Sequence, residues 1–111
     1  MIILVQQRVT KEQLEEMLDV LGGYIKLAVD IDQKILAAGG ELHADCEAVL
    51  LGNRSKQVDI WGADWYPVTQ EVGYESLINI RPRQNNRSME IQDPIIREQV
   101  AQIVTYLLGE L

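Results

Sequence analysis

Residues 24–40 read YIKLAVDIDQKILAAGG, and this stretch decides the fold. Ile25, Leu27, Val29 and Ile31 alternate with Tyr24, Lys26, Ala28 and Asp30. A period of two places the first set on one side of an extended chain and the second on the other, as in a half-buried strand. Asp32-Gln33-Lys34 supplies a turn, and residues 35–38 return as an antiparallel partner. Gly39-Gly40 then interrupts the second strand, as glycine does at a bulge or where another group approaches the backbone.

Upstream, residues 2–5 read as a short strand, and a helix starts at Thr10. Thr10 and Gln13 have capping-box spacing, and Val9 and Leu14 occupy the positions of a hydrophobic staple. Leu14, Met17, Leu18 and Leu21 fall on one helical face, and Gly22 is a suitable left-handed stop. Downstream, residues 45–51 fit either a short helix capped by Asp45 or a strand entering a turn at 52–55. Residues 56–66 read as a strand ended by Pro67, residues 69–73 as a loop, and residues 75–80 as another strand ended by Pro82. Asp93-Pro94 opens a last helix, with an N-cap acid followed by proline at the first turn. Ile96, Val100, Ile103, Val104, Leu107 and Leu108 form its apolar stripe. The expectation is a single α+β domain over 1–111: a mostly antiparallel, meander-like sheet of four to five strands, with two amphipathic helices on one face.

The chain has 111 residues, 47% of them apolar, and a net charge of −7 from 17 acidic and 10 basic groups. That composition belongs to a globular domain with one modest core. No segment has the length and apolarity of a membrane span or a secretory signal. The one cysteine, Cys46, forms no intrachain disulfide and reads as a small buried thiol, pointing to a reducing, cytoplasmic setting. Acidity argues against general nucleic-acid binding. The charge is uneven, however: residues 76–88 carry Arg81, Arg83 and Arg87 and no acid, a basic island in an acidic chain.

Two polar clusters carry the chemistry. Glu41, His43, Asp45 and Glu47 line one side if the chain there is extended, and a helix beginning near Asp45 would break that row. His43 is the side chain best suited to proton transfer near neutral pH, with Glu41 or Asp45 to orient it. With one cysteine a structural zinc site built on several thiolates is excluded, and with one histidine a His₂ or His₃ site would need carboxylates or a second subunit, so no metal is expected. The second cluster holds Asn79, Arg81, Arg83, Asn86 and Arg87, whose guanidinium and amide groups suit a carboxylate or phosphate. Asp59 and Asp64 are the acids that could instead satisfy those arginines, while Trp61 and Trp65 read as core volume.

The segments 39–45 (GGELHAD), 55–57 with 61–62 (SKQ and WG), and 76–82 with 86–88 (SLINIRP and NRS) resemble a small bacterial, largely cyanobacterial, family of unknown function. The resemblance covers nearly the whole chain. It implies one short domain, and its polar signatures fall on Glu41, His43, Asp45, Asn79, Arg81, Asn86 and Arg87 with no catalytic role or cofactor attached. Three readings follow. The first is a binding domain in which the two clusters converge on a small anionic ligand or an acidic peptide. The second is a hydrolase using His43 as acid or base, with Arg81 and Arg87 stabilising negative charge. The third is a structural homodimer whose charges pair internally, and a homodimer is the default assembly for so small a core.

Overall fold

In the computed structural model, which describes residues 1–110, the chain runs β1 (Ile3–Val5), α1 (Lys11–Leu21), β2 (Ile25–Asp30), β3 (Ile35–Gly40), α2 (His43–Gly52), β4 (Ile60–Tyr66), β5 (Glu71–Gly73) and α3 (Pro94–Leu108). Single 3-10 turns occupy Gln57–Asp59, Leu77–Asn79 and Pro82–Gln84. The five strands form one sheet in the order β1-β3-β2-β4-β5, and every neighbouring pair is antiparallel. Both halves of the 24–40 stretch are therefore interior strands. β2 pairs with β3 from Asp30↔Ile35 to Lys26↔Gly40, and with β4 from Ile25↔Trp65 to Asp30↔Ile60.

The α+β class stands, but the meander does not. β1 and β2 straddle β3, while β3 and β4 straddle β2. Each straddling pair is parallel and joined by a helix, α1 in the first case and α2 in the second. Both connections step the same way across the sheet but leave from strands of opposite direction. Keeping both crossovers right-handed requires the two helices to lie on opposite faces.

The packing follows that rule. Met17, Leu14 and Leu18 of α1 meet Leu27, Val29, Leu36, Trp61 and Trp65 in one core, which Val100, Val104 and Leu107 of α3 complete. Cys46 and Leu50 of α2 meet Ala28, Ile35, Ala37 and Ile60 in a second core. The two helices expected on one face are there, and a third covers the other. This third helix is why Ala28 is buried and why β3 is buried along its whole length, while the Asp30 carboxylate is enclosed by Ser55 Oγ, Gln33 Nε2 and the turn after β2. Small residues admit it: a Cβ added at Gly40 would lie 3.1 Å from Cys46 Sγ.

The helix starts explain which elements the sequence announced. At α1 the Gln13 backbone N–H donates to Thr10 Oγ1 at 3.2 Å, and the Thr10 N–H donates to Gln13 Oε1 at 3.0 Å. At α3 the Ile95 N–H donates to Asp93 Oδ1 at 2.8 Å. At α2 the N-cap is Leu42 with no side-chain cap, so the helix starts at His43, ahead of the expected Asp45 signal.

Residues 75–80, expected as a strand, instead form the 3-10 turn Leu77–Asn79, and residues 71–73 of the expected loop form β5. The turn sits against β4 at Gly62, where an added Cβ would lie 2.6 Å from Ser76 Oγ. The Gly62 N–H donates to Asn79 Oδ1 at 2.8 Å, and Asn79 Nδ2 donates back to the Gly62 carbonyl at 3.0 Å. One side-chain amide thus replaces the backbone of a neighbouring strand.

Candidate functional site

His43 is the first residue of α2 and faces β4. Its Nε2 lies 2.8 Å from Asp64 Oδ1 and 3.1 Å from the Ala63 carbonyl oxygen. Both neighbours only accept hydrogen bonds, so Nε2 carries the proton, and in the neutral ring Nδ1 carries the lone pair. The two side chains are each 12% exposed, enough shelter to hold the ring and enough access for a ligand. The pair sits in a groove of about 650 Å³ lined also by Lys26, Leu42, Tyr66, Ser76, Leu77 and Met89. Lys26 and Asp64 are direct cross-strand partners of β2 and β4, which places both on the α2 side. Lys26 Nζ donates to the Glu41 carbonyl at 3.2 Å, beside the uncapped start of α2. Tyr66 stacks on Tyr24 with ring centroids 5.5 Å apart. Partial burial and the Asp64 carboxylate push the Tyr66 hydroxyl above its ordinary value, so it stays a hydrogen-bond donor.

The arginine–asparagine cluster is mostly spent inside the molecule. Arg81 Nε donates to the Ile78 carbonyl at 3.0 Å and Nη1 donates to the Gln57 carbonyl at 2.6 Å. Its Nη2 pairs with Glu47 Oε2 at 3.2 Å, and the guanidinium lies 5.0 Å from the centre of the Trp61 ring. Burial pulls the Arg81 pKa below its ordinary value, and Glu47 opposes that. Asn86 Nδ2 donates to the carbonyls of Asn79, Ser88 and Glu90, and its Oδ1 accepts from the Gln92 N–H. Asn79 and Asn86 are buried, whereas Arg83 and Arg87 are exposed.

Residues 3–107 match a family described as Protein of unknown function (DUF5674). The chain belongs to that family. No curated protein and no solved structure matches it.

In this DUF5674 chain, the row Glu41, His43, Asp45 and Glu47 does not survive as a row. The helix puts His43 and Glu47, four residues apart, on one face. Glu41 and Asp45 point to solvent. Glu47 therefore links the clusters: His43 borders the groove, and one turn later Glu47 holds Arg81, which does not line it. Asp64, named in the sequence as an arginine's partner, belongs to His43. Nothing local in the sequence marks Lys26 and Tyr66 as neighbours of His43, because only the β2–β4 pairing brings them there. The pattern that could have found them is the shared parity of Lys26 on one strand and Asp64 and Tyr66 on the other.

Cys46 is fully buried, and burial pushes its thiol up to about 11, so it is not a nucleophile near neutral pH. Among the described residues no group of three or more His, Cys, Asp or Glu side chains is placed to hold a metal ion. No helix is long and apolar enough to cross a membrane.

Proposed function

We propose that the protein is a small binding domain, working in a reducing cytoplasmic compartment, whose groove at the start of α2 takes a small organic carboxylate. The observation that carries this reading is the His43–Asp64 pair, 2.8 Å apart, in a groove that also holds Lys26 and the uncapped first turn of α2. A helix start presents free N–H groups and the positive end of the helix dipole, and Lys26 adds a full charge beside it. Asp64 is engaged by His43, and Glu75 and Glu90 also line the groove, so the start of α2 with Lys26 is the part of it that suits an anion. Leu42, Leu77 and Met89 offer an apolar remainder, which suits a monoanion with a hydrocarbon body.

The same pair favours a second reading. With its Nε2–H committed to Asp64, the neutral His43 ring keeps Nδ1 as its basic nitrogen, an arrangement suited to hydrolysis. In that case Lys26 and the α2 amides, rather than Arg81, would receive the developing negative charge.

Amide chemical shifts recorded while titrating acetate, butyrate, benzoate and inorganic phosphate test the binding reading. Saturable shifts at Lys26, His43 and Ala44, stronger for the larger carboxylates and lost in Lys26→Ala, are expected. Shifts that stay linear to high millimolar concentration, or fall elsewhere, overturn it. Ester turnover that disappears in His43→Ala would move the function to the hydrolytic reading.

A further inference from the structure

The basic island meets a second set of cations in the folded chain. Arg81 Nη1 donates to the Gln57 carbonyl at 2.6 Å, and Gln84 Nε2 donates to the Val58 carbonyl at 2.9 Å. These bonds hold the 3-10 turns Gln57–Asp59 and Pro82–Gln84 side by side. Arg54 and Lys56 lead into the first turn, while Arg83 lies in the second and Arg87 follows it; all four are exposed. Among the described residues the only ion pairs are His43–Asp64 and Arg81–Glu47, so these four cations, like the other lysines and arginines apart from Arg81, make no ion pair with a described acid, and the acid beside them is Asp59, which feels the charge of Lys56. Exposed apolar groups belong to the same segments: Val58, in the first turn, is 57% exposed and Ile80, next to Arg81 in sequence, 45%. Arg54 also has φ 73°, a left-handed conformation that glycine or asparagine adopts at lower cost, and its side chain makes no hydrogen bond or ion pair with another described residue.

We propose that Arg54, Lys56, Arg83 and Arg87 form a docking surface for an acidic segment of a partner protein, with Val58 and Ile80 receiving its apolar side chains. Guanidinium groups bind carboxylates in a two-pronged geometry that favours arginine-rich sites. Arg81 fixes the base of the surface before anything binds, so little ordering has to be paid on docking. A nucleic acid fits less well. Its phosphates are closely spaced, and four cations neutralise few of them. None of the four cations lines the His43 groove.

The test uses the full chain and a fluorescein-labelled peptide of alternating Glu and Leu, read by anisotropy at low and raised salt, with oligothymidylate of equal length as a second probe. Arg83→Glu combined with Arg87→Glu is expected to weaken peptide binding by at least about tenfold, and Lys11→Glu on α1 by less than about twofold. His43→Ala should leave peptide affinity unchanged, which separates this surface from the groove. Should the double variant fail to fold, peptide-induced amide shifts in the native chain must fall on residues 54–58 and 80–87. No saturable peptide binding, equal effects of the two charge reversals, shifts mapping elsewhere, or tighter binding of oligothymidylate would each overturn the proposal.

Discussion

Replacing Asn79 by alanine removes a side chain that stands in for a strand. Its amide serves four backbone groups: the Gly62 N–H, and the carbonyls of Gly62, Tyr74 and Met89. The last two keep another partner, since the Ile91 N–H donates to Tyr74 and the Ser76 N–H donates to Met89. The Gly62 N–H and carbonyl lose theirs, and Gly62 is buried. An unsatisfied buried group costs about 1–3 kcal/mol, so the loss should be about 4 kcal/mol once the small cavity is included. For a chain of this length that lowers Tm by about 15–25 °C and removes a large share of a typical domain's stability. Urea unfolding followed by tryptophan fluorescence and far-UV circular dichroism would measure it, with Trp61 adjacent to the lesion. Asn79→Asp adds a check of sign. Burial would raise that carboxyl's pKa above its unfolded value, so the folded state would hold the proton more tightly. The variant should gain stability as the pH falls through the carboxylate range, because the protonated group can again donate to the Gly62 carbonyl. A loss below about 1 kcal/mol for Asn79→Ala would refute the claim that this amide closes the edge of β4.

Cys46 ionises at about 11 in the fold against an ordinary 9.0. The folded state therefore binds the proton more tightly, and stability should fall as the pH rises through 9 to 11 more steeply in the native chain than in Cys46→Ala, as alkaline urea titrations would show. The same burial should make thiol labelling near neutral pH far slower than in urea-unfolded chain; equal rates would contradict it. For His43, nitrogen–proton correlation spectra of the neutral ring should show the Nε2-protonated tautomer, and Asp64→Ala should mix the two forms; Nδ1 protonation in the native chain would reverse the proton assignment made from Asp64 and Ala63.

What could be read in advance was local. Thr10 with Gln13 and Asp93 with Pro94 signal helix starts through bonds spanning two or three residues, and the Asp32–Lys34 turn joins strands adjacent in sequence. What could not be read depends on distant partners. α2 lacks a side-chain cap and buries Cys46 and Leu50 against a sheet face that the sequence had assigned to solvent. Residues 75–80 look strand-like because Ile78 and Ile80 are apolar, but the strand pairing there goes through Asn79's side chain instead of its backbone. The site behaved likewise. His43 was recognisable by its chemistry, whereas Asp64, Lys26 and Tyr66 became its neighbours through β2–β4 register alone. Arg81 looked like a ligand group because a run without acids hides Glu47, which lies 34 residues earlier.

The interleaved crossovers also bear on the order in which the molecule is assembled on the ribosome. β1 and α1 are translated before β3, the strand that pairs with β1, which ends only at Gly40. For that interval Leu14, Met17 and Leu18 have no sheet to cover them, and the nascent segment must rely on its own capping box to remain helical. The central strands and α2, by contrast, find one another within residues 25–66, so the middle of the polypeptide can organise before its beginning is locked into place.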